Sequence, residues 1–227
     1  MAVVSYVKSI QFLRPVTLCT VLLASCPTLS ASELSVTVLQ ANGRPLAGAV
    51  VDVVPAAAPA PARSPPRAVM DQRDLMFVPE ILVIRTGTEV SFPNSDNVLH
   101  QVYSFSPAKR FQLSLYSRTQ RAVINFDKPG LVTVGCNIHD GMIGYIYVTD
   151  SPWFGTTDDA GVVQVGNIAA GNYTIKIWHS RIKEKLEPLD QPISVPESGS
   201  IARLIRLTKP VSAPLHQHGS SKSWEDY

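Results

Sequence analysis

Apolar and polar residues alternate along this chain in short runs, rich in Val, Ile and Thr and broken by Gly, Pro, Asn and Asp. Such runs read as strands, because a pleated strand sends successive side chains to opposite faces. The first two cover residues 34–39 and 49–54, separated by the turn Ala41-Asn-Gly-Arg-Pro45. Residues 55–67 are mostly Pro and Ala, too poor in apolar bulk to pack, and predict an extended, mobile linker over 57–68. Strands resume at 81–84 and 89–92 around Thr86-Gly87, then at 101–105, 122–126, 131–135 and 144–149. After Trp153 come further runs at 162–165, 174–179, 191–195 and 201–207, with turns at 157–161 and 170–173. The tail, 210–227, is polar and is expected to stay disordered. The pattern predicts an all-β chain built from antiparallel sandwiches.

Composition agrees, with 18 prolines and 13 glycines among 227 residues, enough chain for one or two domains with real cores. Lys plus Arg is 20 against 18 for Asp plus Glu, so a formal charge of +2 gives no case for nucleic acid. The N-terminus changes the picture more. Lys8 and Arg14 flank an apolar run over 16–25, and Leu29-Ser-Ala31 suits signal-peptidase cleavage, so 1–31 reads as a secretory signal. A competing reading takes Leu23-Ala-Ser-Cys26 as a lipobox that leaves a lipidated Cys26. The apolar run falls short of the ~20 residues a bilayer span needs, and nothing downstream is apolar enough. The expected location is the periplasm, dissolved there or anchored through Cys26.

Export makes the cysteines informative. Cys19 leaves with the signal and Cys26 is removed or acylated, so Cys136 has no disulfide partner in an oxidising compartment. It opens Cys136-Asn-Ile-His139-Asp-Gly-Met142 between two predicted strands, and His100 stands upstream on Val98-Leu-His-Gln-Val102. One thiolate, two imidazoles and a thioether are the donors of a blue-copper site. Each residue also has a plain reading: Cys136 as an inert buried thiol, His100 as a strand-end histidine, Met142 as core filler. Met70 and Met76 read as packing, His179 as structural, and His216 with His218 as a tail pair that binds metal only adventitiously. Zinc seldom takes Met, a haem would need Cys-x-x-Cys-His, and a His4Cys iron centre would need more histidines than the body of the chain carries. No hydrolase elbow, phosphate loop or His-Glu-x-x-His is present.

Phe77-Val-Pro79, Thr86-Gly-Thr-Glu-Val90, Asn94-x-Asp96-x3-His100 and Cys136-x2-His139-x2-Met142, in that order, resemble the cupredoxins, above all their short-loop, amicyanin-like members. The arrangement also looks like bacterial proteins grouped with methylamine utilisation. The resemblance covers 69–150 and implies a Greek-key β-sandwich with one type 1 copper. His100, Cys136 and His139 would be the strong ligands and Met142 the weak axial one. It further implies an electron carrier rather than an enzyme, docking redox partners at the loop histidine beside Ile138 and Ile143. A c-type cytochrome, an amine dehydrogenase and a terminal oxidase are the partner classes. Copper delivery, storage or sensing is the rival function, and a structural sandwich cross-linked by copper a third. Two departures bear on tuning: Gln101 stands where the best-known members have Asn, and the ligand loop has no proline.

The flanks carry a second resemblance. Gly43-Arg-Pro-Leu-Ala-Gly-Ala-Val-Val51 looks like the opening of a carboxypeptidase-regulatory-like, transthyretin-type sandwich. Thr157-Asp-Asp-Ala-Gly161 and Ala170-Gly-Asn-Tyr-Thr-Ile-Lys-Ile177 look like its continuation. They imply a second, smaller Ig/transthyretin-like sandwich formed by 33–56 and 151–209, with the metal domain inserted between. Two unrelated consecutive segments are the alternative.

Overall fold

Alternating burial sends one face of many of the longer strands inward, and two separate hydrophobic cores result. The computed structural model describes residues 31–57, 66–118 and 122–214. The signal and lipobox readings, most of the Pro/Ala linker and the His216–His218 pair lie outside the described residues. In chain order the strands are β1 (Ser32–Leu39), β2 (Val50–Pro55), β3 (Arg67–Val69), β4 (Asp71–Arg73), β5 (Met76–Val78) and β6 (Ile81–Arg85). There follow β7 (Thr88–Phe92), β8 (Tyr103–Ser106), β9 (Lys109–Gln112), β10 (Ala122–Phe126), β11 (Gly130–Gly135) and β12 (Ile143–Thr149). The last are β13 (Phe154–Thr156), β14 (Val162–Ile168), β15 (Gly171–Trp178), β16 (Gln191–Val195) and β17 (Gly199–Arg206). The only helical element among the described residues is one short 3-10 turn, Glu187–Leu189. No described helix is long and apolar enough to cross a membrane.

The fold is all-β, as the alternation implies. A three-stranded sheet, β10-β7-β3, and a five-stranded sheet, β6-β12-β11-β8-β9, enclose the first core. Val90, Phe92 and Phe126 enter it from one sheet, and Ile84, Val132, Val134, Ile146 and Val148 from the other. Two more sheets, β14-β1-β17 and β13-β2-β15-β16, enclose the second. There Leu34, Val36 and Val38 of β1 meet Val51 and Val53 of β2 and Ile175 and Ile177 of β15. Full burial of each such side chain contributes roughly 1.5–3 kcal/mol, so either core is a substantial stabilising unit.

Pairing joins the two flanks of the described chain. Strand β1 runs antiparallel to β14 and parallel to β17, and β2 runs antiparallel to β13 and β15. Everything from β3 to β12 lies between those partners in sequence, and its own strands pair among themselves.

The two cores meet at a polar seam. Asp52 of β2 is buried and accepts hydrogen bonds from Thr149 Oγ1 at 2.8 Å and Tyr147 Oη at 3.4 Å. Burial pushes its carboxyl above the ordinary range, against the pull of those two donors. Trp178 packs its ring against Tyr145 and Tyr147 at centroid distances of 5.4 and 6.2 Å.

The structure differs from expectation in several places. Strand β14 runs on to Ile168, and β15 begins inside the turn expected at 170–173. In the tail expected to be disordered, Val211 packs against the second core and Ser212 exchanges hydrogen bonds with Arg181. Arg67 and Ala68, read as the end of the linker, pair in parallel with Glu89 and Val90. The run expected at 101–105 becomes a strand only at Tyr103, and His100 instead bridges Tyr116 in isolation. Strands β3, β4, β5 and β13 are three residues each, too short to show an alternation.

Candidate metal centre

Residues 136–142 connect β11 to β12, whose antiparallel register ends at Gly135 opposite Ile143. The connection is pinned at both ends, since Cys136 N–H donates to the Met142 carbonyl at 3.2 Å. Inside it, Met142 N–H donates to the His139 carbonyl at 3.3 Å, which closes a four-residue turn. Gly141, third in that turn, has φ +74°, a conformation that a side chain disfavours. Just before the loop, a Cβ on Gly135 would lie 3.1 Å from the Tyr103 ring. The absence of a side chain there lets Tyr103 lie across β11.

The result is a convergence of donors. Cys136 Sγ lies 3.4 Å from His139 Nδ1 and 3.9 Å from His100 Nδ1, and the three ligand-capable atoms all fall within 4.8 Å of one another. The two imidazoles meet edge to face at 4.7 Å between centroids. Cys136 is a free thiol, buried like His100, while His139 keeps a partly exposed edge. Met142 is buried in the same core as Cys136. Among the described residues this is the only group of His, Cys or carboxylate side chains so arranged. A buried thiol facing two imidazole nitrogens is a donor set that suits copper; its soft sulfur and borderline nitrogens fit that metal better than magnesium or calcium.

His100 is held from behind. Its Nε2 lies 2.7 Å from Asp96 Oδ2, which leaves Nδ1 directed at the sulfur. Asp96 also accepts backbone N–H bonds from Asp74 at 2.7 Å and Leu75 at 3.1 Å. Those two residues occupy the left-handed region at φ 54° and 58°, at a cost of roughly 1–2 kcal/mol each for side-chain-bearing residues. Burial works to raise the Asp96 carboxyl, but bonds from Leu75, His100 and Asp74 outweigh it and hold the group below its usual range. The His139 imidazole is driven below its ordinary value by burial first and by its neighbour His100 second.

A second polar layer supports this one. Asn94 donates through Nδ2 to the carbonyls of Val98 at 2.8 Å and Tyr116 at 3.1 Å, and its Oδ1 accepts from Asp96 N–H at 2.9 Å. Tyr116 pairs both ways with the His100 backbone and donates its hydroxyl to the Phe92 carbonyl. Burial pushes the Tyr116 phenol up to about 12. Around the centre, Leu99 and Ile138 are each 49% exposed, and Leu75, Val98 and Leu115 on the surrounding segments also face solvent.

His179 takes no part. It is buried against the second core, its Nδ1 accepts from Arg181 N–H at 3.0 Å, and it bonds the Ala47 backbone. Met70 is packing, fully buried in the first core.

The structure thus brings His100, Cys136 and His139 together and buries Met142 beside Cys136. Asp96 has a role that the motif alone does not assign, although its position four residues before His100 is a usable signal. Tyr116 and Gln72, whose amide bonds the Tyr116 hydroxyl, have no sequence signal, because both lie far along the chain from the residues they brace.

No protein-family model matches the chain, and no curated protein matches it. Solved structures do. A copper-containing nitrite reductase from Thermus scotoductus is 28% identical over 41% of this chain and 25% of its own, with a TM-score of 0.36. This chain therefore spans about a quarter of that protein. A purple cupredoxin from Nitrosopumilus maritimus is 21% identical over 37% of this chain and 99% of its own, TM-score 0.33. Amicyanin from Paracoccus versutus is 22% identical over 42% and 90%, TM-score 0.33.

Proposed function

We propose that this protein is a type 1 copper electron carrier of the periplasm, with residues 69–150 as the copper module. In this reading 33–56 and 151–209 form one discontinuous sandwich that carries it, supported by the pairing of β1 and β2 with strands after Thr149. His100 and His139 would hold copper through Nδ1, Cys136 through Sγ, and Met142 more weakly through its thioether. The observation that carries the proposal is the approach of Cys136 Sγ and both Nδ1 atoms to within 4.8 Å in a largely buried site whose thiol is free among the described residues. Copper held by this set would supply a one-electron couple, since thiolate and imidazole serve both its oxidation states.

The residues themselves perform three tasks. Buried Cys136, His100 and Met142 keep water from the donors. The short turn through Gly141 holds the loop donors at fixed spacing, so little rearranges when an electron moves. His139, the donor that keeps a part-exposed edge, next to the exposed Ile138, offers the shortest way out to a docked redox protein. A filled ligand set leaves no position for a substrate, which favours a carrier over an enzyme.

The test is a visible and EPR spectrum of the copper-loaded mature protein together with its reduction potential. Intense thiolate-to-copper absorption with reversible cycling supports the carrier. Loosely held copper that cycles slowly would indicate delivery or storage instead.

A further inference from the structure

Asp96 joins two things that are otherwise separate: the back of a copper-ligand candidate and a strained turn at the surface. Its carboxylate accepts from His100 Nε2 at 2.7 Å, and His100 is fully buried. The same two oxygens accept the N–H groups of Asp74 and Leu75, both at positive φ. Asp96 itself is immobilised, with its N–H bonded to Asn94 Oδ1 at 2.9 Å and its carbonyl accepting from Arg118 Nε at 3.0 Å. So placed, the carboxylate is aimed at one ring nitrogen.

That geometry has two consequences. First, a carboxylate accepts but does not donate, so Nε2 carries a ring proton, and the neutral ring then presents its Nδ1 lone pair toward Cys136. Second, a negative charge one hydrogen bond behind a buried ligand makes the ring a stronger donor and stabilises the more positive oxidation state. Low local polarity strengthens both effects, because little water screens the pair. Resting on the copper-carrier reading above, we propose that Asp96 is a positioning residue that fixes the His100 tautomer and lowers the reduction potential of the copper bound there.

The experiment is Asp96→Asn in the full mature chain, loaded with copper. Asn keeps an oxygen for the His100 and Leu75 N–H groups and nearly the same volume, but it removes the charge and the acceptor of the Asp74 N–H. The expected result is a retained blue absorption, with Cu(II) affinity lowered roughly 10–100-fold. Cu(I) affinity should fall less, by about tenfold in the ratio, which raises the potential by about 59 mV. A merely structural role would lower the apo melting temperature and leave the potential alone. An unchanged potential with the absorption intact therefore overturns the proposal.

NMR of the wild-type Cu(I) protein provides a check that needs no variant. A His100 Nε2–H that is slow to exchange and far downfield supports the assignment, and a ring unprotonated at Nε2 overturns it. Failure of the copper reading looks different: the wild-type protein itself would show no intense absorption.

Discussion

His100 and His179 are both buried histidines, one beside each core, and only one of them is placed to bind metal. His179 spends its nitrogens on the local backbone, Nδ1 on Arg181 N–H and a second bond to Ala47, so no lone pair remains for a ligand. His100 has its far nitrogen pinned by Asp96 and its near nitrogen turned toward a thiol. Burial alone therefore does not mark a ligand. What distinguishes the two is whether the chain leaves one ring nitrogen without a local partner while holding the other.

Replacing Cys136 by Ser breaks the contrast most sharply. The intense thiolate-to-copper absorption should vanish, whereas His179→Gln should leave both absorption and potential at wild-type values. A C136S protein that kept the band would sink the ligand assignment.

Acidification should expose His179 instead. Burial, assisted by the nearby Arg181, depresses its imidazole from 6.5 to about 4. The unfolded chain thus binds the proton more readily than the folded one, and stability falls as pH drops from 6.5 toward 4. The full shift corresponds to about 3 kcal/mol. Denaturant titrations of the apo protein across that window should show the decline, and H179Q should flatten it. A slope that persists unchanged in H179Q would assign it to other groups.

The smallest effect on binding is expected at Met142. Met142→Leu keeps the volume and removes the sulfur, so it should change the reduction potential while copper affinity stays close to wild type. Complete loss of copper from that variant would show that the thioether is a strong ligand.

The alternation of Val, Ile and Thr made the all-β character and most long strands legible, because period-two burial is written residue by residue. Short strands such as β4 and β5 carry no such record, and their place follows from what they pack against. Likewise the loop 136–142 is readable as a donor run, since its spacing is local and a single turn with glycine suffices to shape it.

The sequence by itself determined the strand-rich architecture, the lone thiol of the body of the chain and the chemical identity of the donors near it. Only the tertiary structure decided that His100 approaches Cys136 through Nδ1, that Asp96 stands behind it, and that His179 is spent elsewhere. The physical reason is range. Burial patterns and turn chemistry act between near neighbours in the chain, whereas the free lone pair of a histidine depends on which distant backbone and side-chain groups folding brings to its two nitrogens.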